Sequence, residues 1–159
     1  MNRMYRITAV MILSFLSCTK KLEDPGATKT VAMSNEWWVT LTAGGQDLIG
    51  THVAFATYNT SQNVADSLWL DDLTNGYQFK CKVLADPKSL TFVTDSSANE
   101  YYEVNVHIAN GKIIPKGGIS KTGIITDSIY MEASFGDDPG TTYIISGTAR
   151  TEWAADDYN

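Results

Sequence analysis

From Glu36 to Trp153 apolar and polar residues alternate with period two in short runs separated by turn-forming residues, and no stretch holds a helical spacing for long. Trp37 to Thr42 reads as the first strand, ended by Gly44-Gly45. His52 to Tyr58 is the second, with Val53, Phe55 and Thr57 on one face and Ala54, Ala56 and Tyr58 on the other. Ser67 to Leu70 is short. Tyr77, Phe79, Cys81 and Val83 then alternate against Gln78, Lys80 and Lys82, and Leu90 to Thr94 follows Pro87. Tyr102, Val104, Val106 and Ile108 alternate against Tyr101, Glu103, Asn105 and His107 and run into Asn110-Gly111, the favoured two-residue hairpin turn, after which Lys112 to Ile114 is expected to return. Gly117-Gly118 is expected to break the chain. Ile129, Met131, Ala133 and Phe135 mark a further strand before the turn Asp137-Asp138-Pro139-Gly140, and Thr142 to Trp153 is the last.

Short antiparallel strands with hairpin-length links predict an all-β fold, and their even meander favours an up-and-down β-barrel of about eight strands over a sandwich. A barrel of that size just holds one small ligand.

The N-terminus departs from this pattern. Arg3 and Arg6 precede an apolar run from Ile7 to Leu16, and Ser17 stands before Cys18. A membrane span needs about 20 apolar residues, so the run predicts a cleaved export signal over residues 1–17. Phe15-Leu16-Ser17-Cys18 resembles a bacterial lipobox, with Phe15 where an aliphatic residue is usual, and predicts acylation of Cys18. Residues 18–35, rich in Lys, Glu, Asp, Pro, Gly and Thr, read as a lipidated tether with one helical turn near Val31, and residues 36–159 as a single barrel domain.

Charge narrows the partners. Without Arg3 and Arg6 the twelve Lys and Arg fall to ten against eighteen Asp and Glu, a net charge of −8. Such a field repels phosphate backbones, so nucleic acid is not an expected partner. Once Cys18 is modified only Cys81 remains, so no internal disulfide is expected, and its place beside Phe79 and Val83 makes it a small buried hydrophobe.

The opening Asn35-Glu36-Trp37-Trp38-Val39-Thr40 and the closing Ile145-Ser146-Gly147-Thr148-Ala149-Arg150-Thr151-Glu152-Trp153, with the lipobox and tether, resemble Bacteroidetes lipoproteins grouped as lipid-binding putative hydrolases. The resemblance implies a lipocalin-like (calycin) barrel, an apolar ligand, and a place at the outer membrane or cell surface of a Gram-negative bacterium, possible neighbours being other surface lipoproteins. Glu23-Asp24 close behind Cys18 looks like a surface-sorting signal of that group. In such barrels the first and last strands are neighbours, and a cation from the last often packs over a Trp of the first. Trp37, Trp38 and Arg150 form the candidate structural set; the alternative is a solvated Arg150.

The residues give the hydrolase half of that description no independent support. A serine elbow needs Gly-x-Ser-x-Gly between strand and helix, and Gly118-Ile119-Ser120-Lys121-Thr122-Gly123 has another spacing. Two histidines, His52 and His107, are too few for a three-ligand zinc site without a carboxylate. The pairs Asp71-Asp72, Asp137-Asp138 and Asp156-Asp157 point to opposite faces if they lie on strands and converge only in turns. Neither cofactor nor metal nor catalytic residue is therefore expected.

The chain holds four Trp, eight Tyr and five Phe, of which Tyr5 and Phe15 fall in the leader. Three uses stay open: plain core packing, the lining of a cavity for a lipid or other small apolar molecule, and an aromatic surface that stacks on sugar rings in a glycan-binding or accessory protein. The favoured reading places Trp37, Val39, Leu41, Phe55, Tyr77, Phe79, Phe92, Val104, Val106, Met131, Phe135 and Ile145 inward around a hollow at one barrel mouth. An anionic headgroup would be held there only if Lys80, Lys82, Lys112 or Lys116 rimmed it.

Overall fold

The computed structural model describes residues 26–158; the leader, Cys18 and Glu23-Asp24 lie outside them. The strands are β1 (Asn35–Ala43), β2 (Gln46–Asp47), β3 (Val53–Asn59), β4 (Ser67–Asp71), β5 (Lys80–Asp86), β6 (Thr91–Ala98), β7 (Asn105–Ile119), β8 (Ile125–Phe135) and β9 (Tyr143–Ala149). From β3 onward each strand pairs antiparallel with the next, and β1 pairs with both β3 and β9, which closes an eight-stranded barrel. The two-residue β2 only folds back on the end of β1 through Gly44-Gly45. Closure gives each of the eight barrel strands a paired neighbour on both sides over at least part of its length.

The seam between β1 and β9 runs from Trp37 opposite Ala149 to Ala43 opposite Tyr143. It needs Gly147, because a Cβ there would lie 1.9 Å from the Trp38 carbonyl oxygen. Inward positions follow the alternation in the sequence. Trp37, Val39 and Leu41 of β1, Phe55 of β3, Cys81 and Val83 of β5, Ile129, Met131, Ala133 and Phe135 of β8 and Ile145 of β9 are all buried.

Three expectations fail locally. Asn110-Gly111 is not a hairpin turn: β7 runs through it as one strand, with Asn110 at φ 53° and a register shift between Ala109 and Lys112. A left-handed residue followed by a bare Cα suits a β-bulge as well as a turn, and pairing with both β6 and β8 selects the bulge. The inserted residue switches the buried phase from Val106 and Ile108 to Gly111 and Ile113, so the strand keeps its apolar face inward. At Gly117-Gly118 the strand likewise continues, through a second shift between Ile114 and Gly118. Finally, Tyr77 and Tyr102-Val104 leave their expected strands for loops, since β5 starts at Lys80 and β7 at Asn105.

The described part of the segment expected as a tether also contributes to the core. Val31–Met33 is a single 3-10 turn, and Met33 and Thr30 are fully buried beneath β1 and β3. Thr57 holds this plug: its hydroxyl donates to the Met33 carbonyl at 2.6 Å and accepts the Trp37 indole N–H at 3.0 Å. Strand directions give the barrel a base, where residues 26–34, the β3–β4, β5–β6 and β7–β8 links and the C-terminal tail lie, and a mouth ringed by the β4–β5, β6–β7 and β8–β9 loops.

Candidate functional site

At the mouth an aromatic stack covers the core. Tyr77, carried by the β4–β5 loop, lies flat on Phe135 with centroids 3.6 Å apart and planes 5° from parallel, and meets Tyr143 edge-on at 4.9 Å. Phe79 beneath it packs edge-on against Phe135 at 5.4 Å and tilted against Phe55 at 5.9 Å.

The loop that presents Tyr77 is wound around one carboxylate. Asp72 accepts the Thr74 N–H at 2.9 Å and the Gln78 N–H at 2.6 Å, while its own N–H donates to the Phe79 carbonyl at 3.0 Å. Burial raises the Asp72 pKa, and the backbone donors partly oppose this. Leu73, Thr74 and Gln78 all take positive φ, so the loop's shape is held by these bonds against local preference.

Carboxylates rim the mouth and hold its tyrosines. Asp137 accepts Tyr77 Oη and Tyr102 Oη, each at 3.0 Å, and Asp138 accepts Tyr143 Oη at 2.5 Å. Just outside, Asp71 accepts Tyr58 Oη at 2.6 Å and Tyr101 Oη at 2.5 Å, with Lys80 Nζ at 3.8 Å. Desolvation, then the hydrogen bond to Asp137, raises the Tyr77 phenol far above its ordinary value, so it stays protonated as a donor.

The expected hollow is not open. Between Leu41, Phe55, Asp72, Tyr77 and Ile145 there remains a void of about 10 Å³, room for about one water. Of the twelve residues expected to line the hollow, Trp37, Val39, Leu41, Phe55, Phe79, Phe92, Val106, Met131, Phe135 and Ile145 are buried, and Tyr77 and Val104 pack against them half-buried. Together they fill the barrel. A larger open groove of about 780 Å³ lies outside the mouth, between Asn99, Glu100, Tyr102, Glu103 and Asp137.

Of the four lysines, Lys80 alone stands at the mouth end, as the first residue of β5 with its Nζ 3.8 Å from Asp71. Lys80 and Lys82 stand 5.1 and 4.9 Å from the Trp69 ring on the outer wall, Lys112 stands 5.2 Å from Tyr130, and Lys116 lies near the base, its N–H donating to Asp127. Arg150 sits at the base with its guanidinium carbon 5.8 Å from the Trp38 ring, and donates to Asp157 through Nε at 2.9 Å and to Glu36 through Nη1 at 2.8 Å. Trp37, by contrast, points into the core.

The candidate nucleophiles and bases are dispersed. His52 stacks on Tyr158 at 4.1 Å, and an exposed His107 meets the Asp95 carbonyl at 3.2 Å. The Ser120 hydroxyl accepts the Ile124 N–H in the β7–β8 turn, at the base. The Cys81 thiol is buried and pushed up to about 12 by desolvation, which makes it unreactive near neutral pH. Among the described residues no three His, Cys, Asp or Glu side chains group as a metal site.

Sequence reasoning did not single out Met33, Asp71, Asp72 or Asp137 as partners of the aromatics. Asp137-Asp138-Pro139-Gly140 does form a turn, closed by the Thr141 N–H on the Asp138 carbonyl, yet its carboxylates also hold Tyr77 and Tyr102 from distant loops and Tyr143 at the start of β9. Residues 22–154 match a protein family described as lipid-binding putative hydrolase. No curated protein matches the chain.

Proposed function

We propose, from the premise that the chain belongs to the lipid-binding putative hydrolase family, that it binds one small apolar molecule at the mouth of the barrel, in space that Tyr77 now fills. The observation that carries this reading is the way the mouth is closed. Its stopper comes from a loop, and is held by one stacked ring, one edge-on ring and one hydrogen bond above an apolar interior. Ligand sites are about 300–1,000 Å³, so the ligand replaces Tyr77 over Phe135 and Phe79 as the β4–β5 loop moves outward. With Asp137, Asp138, Glu100 and Glu103 around the mouth and Lys80 paired with Asp71, the headgroup is neutral or cationic and not a carboxylate.

Titration of the delipidated protein with neutral, anionic and cationic apolar probes, followed by tryptophan emission and a competing dye, tests this. Saturable binding of neutral or cationic probes supports it. Silence across all three classes overturns it, and binding confined to glycans would move the function to the outer groove.

The same reading makes the protein an exported lipoprotein of the outer membrane or cell surface, held by acyl chains on Cys18. Each buried CH₂ adds about 0.8 kcal/mol, and two or more chains anchor a protein almost permanently. Replacing Cys18 with Ser should move the protein from the membrane fraction to the soluble one; unchanged partition would remove the anchor.

A further inference from the structure

The base of the barrel exposes apolar side chains that the fold does not use. Ile119 and Ile125 are cross-strand partners at the end of the β7–β8 ribbon, 69% and 67% exposed, and Ile124 in the adjoining turn is 40% exposed. Single exposed Leu or Ile residues are ordinary, but here three isoleucines share one ribbon tip. β6 pairs with β7 only as far as Lys112, so beyond that point this side of the ribbon has no strand beside it.

The C-terminal tail brings a fourth apolar group to the same end. Asp156 accepts the Thr122 N–H at 2.6 Å, and Lys121 Nζ donates to the Asp157 carbonyl at 3.2 Å, which ties the tail to the ribbon tip. Trp153 stands in the same tail turn, its carbonyl accepting the Asp156 N–H, and its side chain is 66% exposed. Tryptophan at the same end as aliphatic residues, with Lys116 on the ribbon and Lys121 in its turn, is the composition of a surface that settles into the headgroup region of a bilayer.

Chain length identifies the occupant. The described residues begin at Gly26, also at the base, eight residues after Cys18. Eight residues reach about 16 Å as a flexible coil and at most about 27 Å extended. A nine-residue strand such as β1 alone spans about 30 Å, so an anchor at Cys18 holds the base and not the mouth against the lipid.

We propose that the β7–β8 tip, Ile119, Ile124 and Ile125, together with Trp153, docks on the bilayer to which Cys18 is anchored. The inference rests on the anchor reading. It fixes the barrel upright with its mouth toward water, so ligand is taken from the aqueous side and not from the supporting leaflet.

The test uses the full, lipidated chain in phosphatidylcholine–phosphatidylglycerol vesicles containing brominated lipid. A polarity-sensitive dye is placed through Ile124→Cys at the tip or Asn75→Cys at the mouth, Cys81 being buried. The tip dye should shift to the blue and be quenched while the mouth dye stays in water. Ile119→Glu with Ile125→Glu should abolish the tip signal while the protein still floats with the vesicles. A floating protein whose tip dye stays in water overturns the docking and spares the anchor. A tip signal that persists with Cys18→Ser keeps the docking and removes the anchor; loss of both flotation and tip signal in the unmutated chain overturns both.

Discussion

Tyr77 lies flat on Phe135, 3.6 Å between centroids, while its hydroxyl reaches Asp137 two residues further along. One side chain thus both completes the aromatic core and ties the β4–β5 loop to the β8–β9 loop. Stacking of this kind contributes about 0.5–1.5 kcal/mol beyond burial, a strength that a ligand's own apolar surface can replace.

Truncation at this position should separate closure from stability. Tyr77→Ala is expected to cost about 1–3 kcal/mol, less than a fully buried aromatic because the ring is half-exposed, and to speed uptake of an apolar probe. Tyr77→Phe keeps the stack and loses only the tie to Asp137, so it should bind faster with little loss in melting temperature. Stopped-flow dye binding with thermal melts checks both; slower binding by the Ala variant would contradict the stopper role.

Thr57 should matter more than its size suggests. Thr57→Val keeps the shape but leaves the Trp37 N–H and the Met33 carbonyl without this buried partner, costing about 1–3 kcal/mol. Denaturant unfolding measures it, with Thr57→Ser expected to retain most of the stability.

The bulge in β7 gives a sharper steric forecast. At Gly111 a Cβ would lie 2.3 Å from the Phe92 carbonyl oxygen and 2.4 Å from its ring. Gly111→Ala should therefore force β6 and β7 apart and destabilise by about 1–3 kcal/mol or more, whereas Asn110→Gly, at a left-handed position, should be close to neutral. Circular dichroism melts of the pair distinguish backbone approach from a general intolerance of the segment.

Acid should loosen the tail before the barrel. The hydroxyl of Thr151, first, and the contacts from Thr122 and Ser120 hold the Asp156 carboxyl down at about 2, below the ordinary 3.8. A depressed folded value means that the stabilisation is complete above about pH 4 and is lost as pH falls toward 2. Tryptophan emission, sensitive to Trp153 in the tail and to Trp38 beside Tyr158, should change over that window, and Asp156→Asn should abolish the change.

Much of the inward lining was legible because a pleated strand sends alternate side chains to one face whatever its neighbours are. Trp37-Val39-Leu41 and Ile129-Met131-Ala133-Phe135 needed nothing else. Asn110-Gly111 misled for the same local reason: a left-handed residue followed by glycine serves a turn and a bulge alike, and only the neighbours β6 and β8 decide between them. Tyr77 and Tyr102 carried the right alternation but the wrong element, because one carboxylate, Asp137 of the β8–β9 loop, draws both hydroxyls off the strand path.

The sequence by itself determined an all-β chain, the inward face of strands with one apolar side and the polar character of the links, since these follow from spacing and composition along a continuous stretch. Tertiary structure alone decided that Met33 plugs the base, that Gly147 lets β9 close against β1, and that the mouth is stopped by Tyr77 above a void of about 10 Å³. Each of these depends on groups far apart in the chain approaching to within van der Waals distance. Whether a lined barrel is hollow or full is set by how side-chain volumes interdigitate across it, and periodicity carries no measure of that.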